Sequence, residues 1–161
     1  MNLGRDNRNL SLKINEGRIE IQIGDVIVGS KLIDGTFPDY TRVIPAEGQT
    51  KIFVDADTLA EAIDRVSVIA TEKTSSVTFA VEKDGITITA QSPETGKAEE
   101  RIEAECNEEI TVAYNGKYLK EVLASYSGET VMISMSNASS PALIFDPKAP
   151  LDRNVLMPMR I

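Results

Sequence analysis

Alternation of apolar and polar residues recurs along this chain and leaves little room for any fold not built mainly from strands. Leu10-Ser-Leu-Lys-Ile14, Ile19-Glu-Ile-Gln-Ile23, Val77-Thr-Phe-Ala-Val81 and Ile86-Thr-Ile-Thr-Ala90 put apolar side chains on alternate residues. A pleated strand needs that period to turn one face to a core. Turn formers separate the runs. Asn15-Glu-Gly17 and Gly24-Asp25 make a meander that runs on through Val26-Ile-Val28, and Lys83-Asp-Gly85 closes a hairpin. Further strands are expected over residues 51–54, 98–104, 109–113, 131–135, 142–145 and 155–157.

The period changes twice. Leu59, Ile63, Val66 and Ala70 recur at helical spacing, so a helix over residues 57–70 is expected, with Asp55 or Asp57 accepting bonds from its first free amides. Leu119, Val122, Leu123 and Tyr126 form a second apolar stripe behind the cap Asn115, and Gly128 suits its end. From residue 51 the order is strand, helix, four strands, helix, three strands. That order predicts an α+β domain, an antiparallel sheet with two helices on one face over a single core. The helices stand at equivalent places in two halves, a duplication of pattern and not of sequence.

What the chain lacks narrows its chemistry. It has no histidine and one cysteine, Cys106, so histidine triads, Cys/His dyads, histidine metal motifs and zinc fingers are all unavailable. No metal or cofactor is expected. Carboxylate pairs such as Asp55 with Asp57, or Asp34 with Asp39, would suit a hard cation, yet helix capping and turns explain them and no glycine-rich phosphate loop accompanies them. No apolar run approaches a bilayer-spanning length, and MNLGRDNRNL reads as neither signal nor anchor, so no membrane association and a cytoplasmic location are expected. A net charge of −8 argues against a surface coated for nucleic acid; any DNA contact must be local or topological.

Two segments carry a resemblance. Ser30-Lys-Leu-Ile-Asp-Gly-Thr-Phe-Pro-Asp-Tyr40 with Arg42-Val-Ile-Pro45, and the terminal Val155-Leu-Met-Pro-Met-Arg-Ile161, resemble the beta subunit of bacterial DNA polymerase III, whose strand and helix order also matches the stretch between them. The resemblance implies a DNA-clamp-like fold. Residues 51–161 would be the family's third, C-terminal domain, 36–50 the interdomain linker and 1–35 remnant strands of the middle domain. It also implies a sliding clamp, a processivity factor that catalyses nothing and is grouped with polymerases only through their assembly. Its partners would be encircled DNA, other clamp subunits and, through short peptide motifs, the polymerase III catalytic subunit, clamp loader, translesion polymerases and repair proteins. A ring-less clamp acting as a stand-alone peptide-binding module is the alternative.

The site residues follow from the same resemblance. The peptide pocket would take Pro38, Arg42, Val43, Asn115, Tyr118, Val155, Leu156, Met157, Pro158, Met159 and Arg160. Unbranched methionines repack around different anchors, and arginine forks hold polar groups. Without the resemblance, a Met-Pro-Met near a terminus reads as edge packing. Val68 and Ile69 with Glu94, Glu99 and Glu100 would meet a neighbouring subunit, an apolar pair beside a negative patch for a basic partner; alone, the carboxylates read as a solvated face. Arg65, Lys73, Lys117 and Lys120 would face DNA, although Asp57, Glu61 and Asp64 leave the first helix net negative. Removing Leu156–Ile161 is expected to abolish peptide binding and spare the fold.

Overall fold

The computed structural model describes residues 10–69, 75–126 and 128–160. The chain divides into two compact units, Met1–Asp39 and Tyr40–Ile161. In the first, β1 (Leu10–Ile14), β2 (Arg18–Ile23) and β3 (Val26–Lys31) form an antiparallel meander in the order β1-β2-β3. The Asn15 side chain accepts from the Gly17 amide at 3.2 Å in the first turn, and Gly24 takes the left-handed φ of 57° in the second.

The second unit opens with a 3₁₀ turn over Tyr40–Arg42 and then β4 (Thr50–Asp55), α1 (Ala56–Ser67), β5 (Ser76–Glu82), β6 (Gly85–Ser92), β7 (Gly96–Glu103) and the two-residue β8 (Glu105–Cys106). It continues through β9 (Ile110–Asn115), α2 (Gly116–Leu123), a 3₁₀ turn to Tyr126, β10 (Thr130–Met135), β11 (Ala142–Phe145) and β12 (Arg153–Leu156). The antiparallel layer is split into two sheets, ordered β12-β11-β10-β4-β8 and β7-β6-β5-β9. The duplication seen in the sequence reappears in this topology. The first strand of each half, β4 or β9, pairs with the second strand of the other half, β10 or β5.

Each helix starts where its preceding strand ends, and the last strand residue is the cap. Asp55 accepts from the Thr58 amide at 2.7 Å, and Asn115 accepts from Lys117 and Tyr118 at 3.0 and 3.3 Å. Of the two candidate caps for α1, Asp55 is therefore the cap; Asp57 instead accepts from the Gly128 amide at 2.9 Å. Helix α1 ends at Ser67, short of the expected boundary, and Ala70 lies outside the described residues. Its buried face is Ala56, Leu59, Ala62, Ile63 and Val66; that of α2 is Gly116, Leu119 and Leu123. Both helices and the inner faces of both sheets close over one core that includes Ile52, Phe79, Ile88 and Ile133. A β-carbon on Gly116 would stand 3.3 Å from Val77 and 3.4 Å from Ile63, so the glycine sets how closely α2 approaches.

On the outer face of the five-stranded sheet a smaller cluster of Met132, Leu143 and Phe145 is packed by Ile44, Phe53 and Val155. Ile44 comes from the segment after the first 3₁₀ turn. That segment is pinned by the Gly48 amide donating to the buried Ser134 hydroxyl at 2.8 Å.

Candidate functional site

The C-terminal strand decides which side chains can meet a ligand. β12 pairs with β11 in the register Leu143↔Val155 and Ala142↔Leu156, so successive residues face opposite sides of the sheet. Val155 joins the outer cluster, whereas Leu156 is 8 % exposed and sits in the main core. Beyond it the chain leaves the sheet, and the Met159 amide donates to the Ala113 carbonyl at 2.7 Å, anchoring the tail to the end of β9.

Between those two anchors lies a groove of about 640 Å³ lined by Ala138, Ser139, Met157, Pro158, Met159 and Arg160. Its opposite wall is a turn in which Asn137 accepts from the Ser139 amide at 2.9 Å through its side chain and from the Ser140 amide at 3.1 Å through its carbonyl. Met157 is 60 % and Met159 39 % exposed, so the groove offers flexible apolar surface with an arginine at one end.

Of the pocket residues expected from sequence, the structure brings Met157, Pro158, Met159 and Arg160 together. Asn115 is committed to the α2 cap. Tyr118 is exposed on the first turn of α2, a helix in contact with β12. Arg42 ends the 3₁₀ turn and Val43 follows it, both exposed. Pro38 is exposed and belongs to the first unit. Leu156 is placed in the core and not on the groove wall, because strand alternation turns it away. The expectation that residues 156–161 can be removed without harm to the fold is therefore corrected: they include a core leucine and the bond to Ala113. Ala138 and Ser139 were not anticipated. The Asn-Ala-Ser-Ser turn gave a signal for a loop, but small side chains gave none for a wall.

A second surface runs along β7, the edge strand of the four-stranded sheet. The Thr95 hydroxyl donates to the Ile69 carbonyl at 2.6 Å, tying the β6–β7 turn to the end of α1. Val68, Ile69 and Glu94 thus come together; Val68 is 83 % exposed and Ile69 packs partly on the core. Glu99 accepts from Lys97 at 2.6 Å and Glu100 from Arg65 at 2.7 Å. These cations hold both carboxyls below the usual range, through hydrogen bonding first.

The helical cations expected to face DNA are mostly matched by carboxylates. Arg65 bonds Glu61 as well as Glu100, and Lys120 pairs with Asp64. Lys117 stands in the first turn of α2. Lys73 lies outside the described residues. Among the described residues no helix is long and apolar enough to cross a membrane.

The family model described as "DNA polymerase III beta subunit, C-terminal domain" matches residues 41–160. A beta sliding clamp of Caulobacter vibrioides is 36 % identical over 153 residues, covering 94 % of this chain and 41 % of its own length. That of Escherichia coli K12 is 33 % identical over 159 residues, with 98 % and 43 % covered. The crystal structure of the DNA polymerase sliding clamp from Caulobacter crescentus superposes with a TM-score of 0.86 at 35 % identity, covering 94 % of this chain and 41 % of that one. A Bartonella birtlesii sliding clamp solved with griselimycin gives 0.84 at 32 % identity, over 94 % of this chain and 41 % of its own. The chain spans about two fifths of the length of these relatives.

Proposed function

Because this chain belongs to the DNA polymerase III beta subunit family, we propose that it serves in a DNA sliding clamp of the cytoplasm, without catalysis of its own. Its C-terminal groove receives the peptide motifs by which polymerase, clamp loader and repair proteins hold the ring. The observation that carries this reading is the groove between Met157–Arg160 and the Ala138–Ser139 turn. Met157 and Met159 supply adaptable contact for leucine-like or aromatic anchors, Pro158 limits the tail's freedom, and Arg160 offers a fork to a backbone carbonyl or carboxylate of the peptide. Arg42, Val43 and Tyr118 extend the same binding surface in this reading, and Val155 supports it from the sheet.

On this reading Val68, Ile69 and the β7 carboxylates meet a neighbouring subunit. A basic partner surface would compete there with Arg65 and Lys97 for Glu100 and Glu99. DNA is retained topologically more than by attraction, since carboxylates already neutralise Arg65 and Lys120.

The test is fluorescence anisotropy of a labelled clamp-binding peptide titrated with the intact chain. Ser139→Arg, which fills the groove from its far wall, should weaken binding at least about tenfold, a loss of about 1.4 kcal/mol. Binding unchanged by that substitution would overturn the groove assignment.

A further inference from the structure

The methionines of the second unit fall into two pairs with opposite surroundings. Met132 is 5 % and Met135 1 % exposed. Met132 packs in the outer cluster with Leu143 and Phe145, and the Met135 sulfur accepts from the Tyr114 hydroxyl at 3.6 Å inside the main core. Met157 and Met159 instead stand in the groove at 60 and 39 % exposure, on either side of Pro158. Neither belongs to a core cluster. Susceptibility of a thioether to oxidation follows its access to the oxidant. The two open sulfurs therefore lie on the surface that would hold a partner, and the two closed ones lie where the fold depends on them.

We propose that Met157 and Met159 form a redox-sensitive modification site, at which a peroxide converts both thioethers to sulfoxides and so releases the peptide from the groove. The inference rests on the peptide-binding reading of that groove. A groove that admits an apolar side chain of a peptide also admits hydrogen peroxide, a far smaller molecule. In the step, a sulfur lone pair attacks one peroxide oxygen. The S–O bond forms as the O–O bond breaks, sulfur is oxidised and the peroxide reduced, and the departing hydroxide takes the proton of the transferred oxygen and leaves as water. The product is a polar, chiral side chain with a strong hydrogen-bond acceptor where an adaptable apolar one stood. A leucine-like or aromatic anchor offers that oxygen no donor, so packing against it strips water from a polar group without replacement. The change is reversible, because methionine sulfoxide reductases return each epimer to the thioether.

Hydrogen peroxide is applied to the intact chain, as Cys106→Ser so that no thiol competes, and two quantities are read on the same samples. Peptide mapping by mass spectrometry should find Met157 and Met159 oxidised at least about tenfold faster than Met132 and Met135, with a saturating clamp-binding peptide slowing the first pair alone. Anisotropy of the labelled peptide should show affinity falling at least about tenfold on oxidation and returning after treatment with reductases for both epimers. The urea midpoint of the oxidised chain should match that of the untreated one. In the double variant Met157→Leu, Met159→Leu, affinity should be the same before and after peroxide, whatever its starting value. Absence of binding before peroxide would overturn the groove reading and this inference with it. Binding that survives oxidation of both sulfurs, a urea midpoint that falls along with affinity, or core methionines that oxidise as fast would overturn this inference alone.

Discussion

Arg65 on α1 grips Glu100 on β7 with two parallel hydrogen bonds, Nε to Oε2 at 2.9 Å and Nη2 to Oε1 at 2.7 Å. A cation expected on the DNA side and a carboxylate expected at the subunit edge are thereby each other's partner. The pairing holds the Glu100 carboxyl below its ordinary value of 4.5 and raises the Arg65 guanidinium. A carboxyl depressed on folding stabilises the fold above its unfolded pKa and loses that contribution as pH falls through the folded value. The pair should therefore be intact at pH 4.5 and above and break only as pH falls through the depressed value below it. Carbon-detected titration of the Glu100 carboxyl should show its midpoint rising toward the ordinary value in Arg65→Gln. An unshifted midpoint would mean that the fork is not held in solution.

The same logic governs DNA. Lys120 is matched by Asp64 across the two helices, so it releases few counterions when it nears a phosphate. Asp64→Asn should free it and steepen the slope of log affinity for duplex DNA against log salt by about 0.9, the contribution of one neutralised phosphate. The measurement is a salt series of DNA anisotropy titrations. An unchanged slope would place Lys120 away from the phosphates.

Both helix caps are final strand residues, which makes them sensitive to truncation and tolerant of conservative exchange. Asp55→Ala and Asn115→Ala should each cost about 1 kcal/mol in urea unfolding, and Asp55→Asn much less, because an amide oxygen can take the Thr58 proton. The Thr58 amide holds the Asp55 carboxyl below the usual range. That part of the stability should fade as pH falls below the ordinary carboxyl value of 3.8 in the parent and not in Asp55→Asn.

Gly48 is fixed by space and not by backbone freedom. A β-carbon there would lie 2.0 Å from the Met135 carbonyl carbon, a backbone atom that cannot step aside. Gly48→Ala should shift the 44–48 segment, loosen Ile44 over the outer cluster and lower the melting temperature. Ser134→Ala should destabilise by about 1–3 kcal/mol, since it leaves the Gly48 amide without its buried acceptor. Calorimetry on both variants tests this, and a neutral Gly48→Ala would mean that the segment is not seated as described.

Much of this architecture was legible because alternation and helical spacing report burial directly. The runs around Phe79 and Ile88, the stripe through Leu59 and Ile63, and the caps before each helix all follow from local chemistry. The division into two sheets was not legible, because it depends on β4 and β9 crossing to the opposite half, a long-range choice with no local signature. Nor was β8, since two residues, Glu105 and Cys106, are too few to show a period. At the groove the terminal motif gave one wall. The other comes from Ala138 and Ser139, where small residues in a turn look the same whether or not a ligand lies beside them.

Leu156 and Met157 are neighbours with opposite fates, and they give the sharpest separation of fold from site. Leu156 faces the core at 8 % exposure, so Leu156→Ala should cost about 2–5 kcal/mol of stability through lost burial and a cavity. Met157 lies in the groove at 60 % exposure, so Met157→Ala should leave urea unfolding within about 0.5 kcal/mol of the parent. Peptide binding should respond in the reverse order: at a temperature where both variants are folded, Met157→Ala should weaken it about tenfold and Leu156→Ala by far less. The comparison is informative because both substitutions fall on one strand end and disturb the same backbone. If the stability and binding losses fell together on Leu156→Ala, the terminal motif would act through packing alone and the groove would have no ligand contact at Met157.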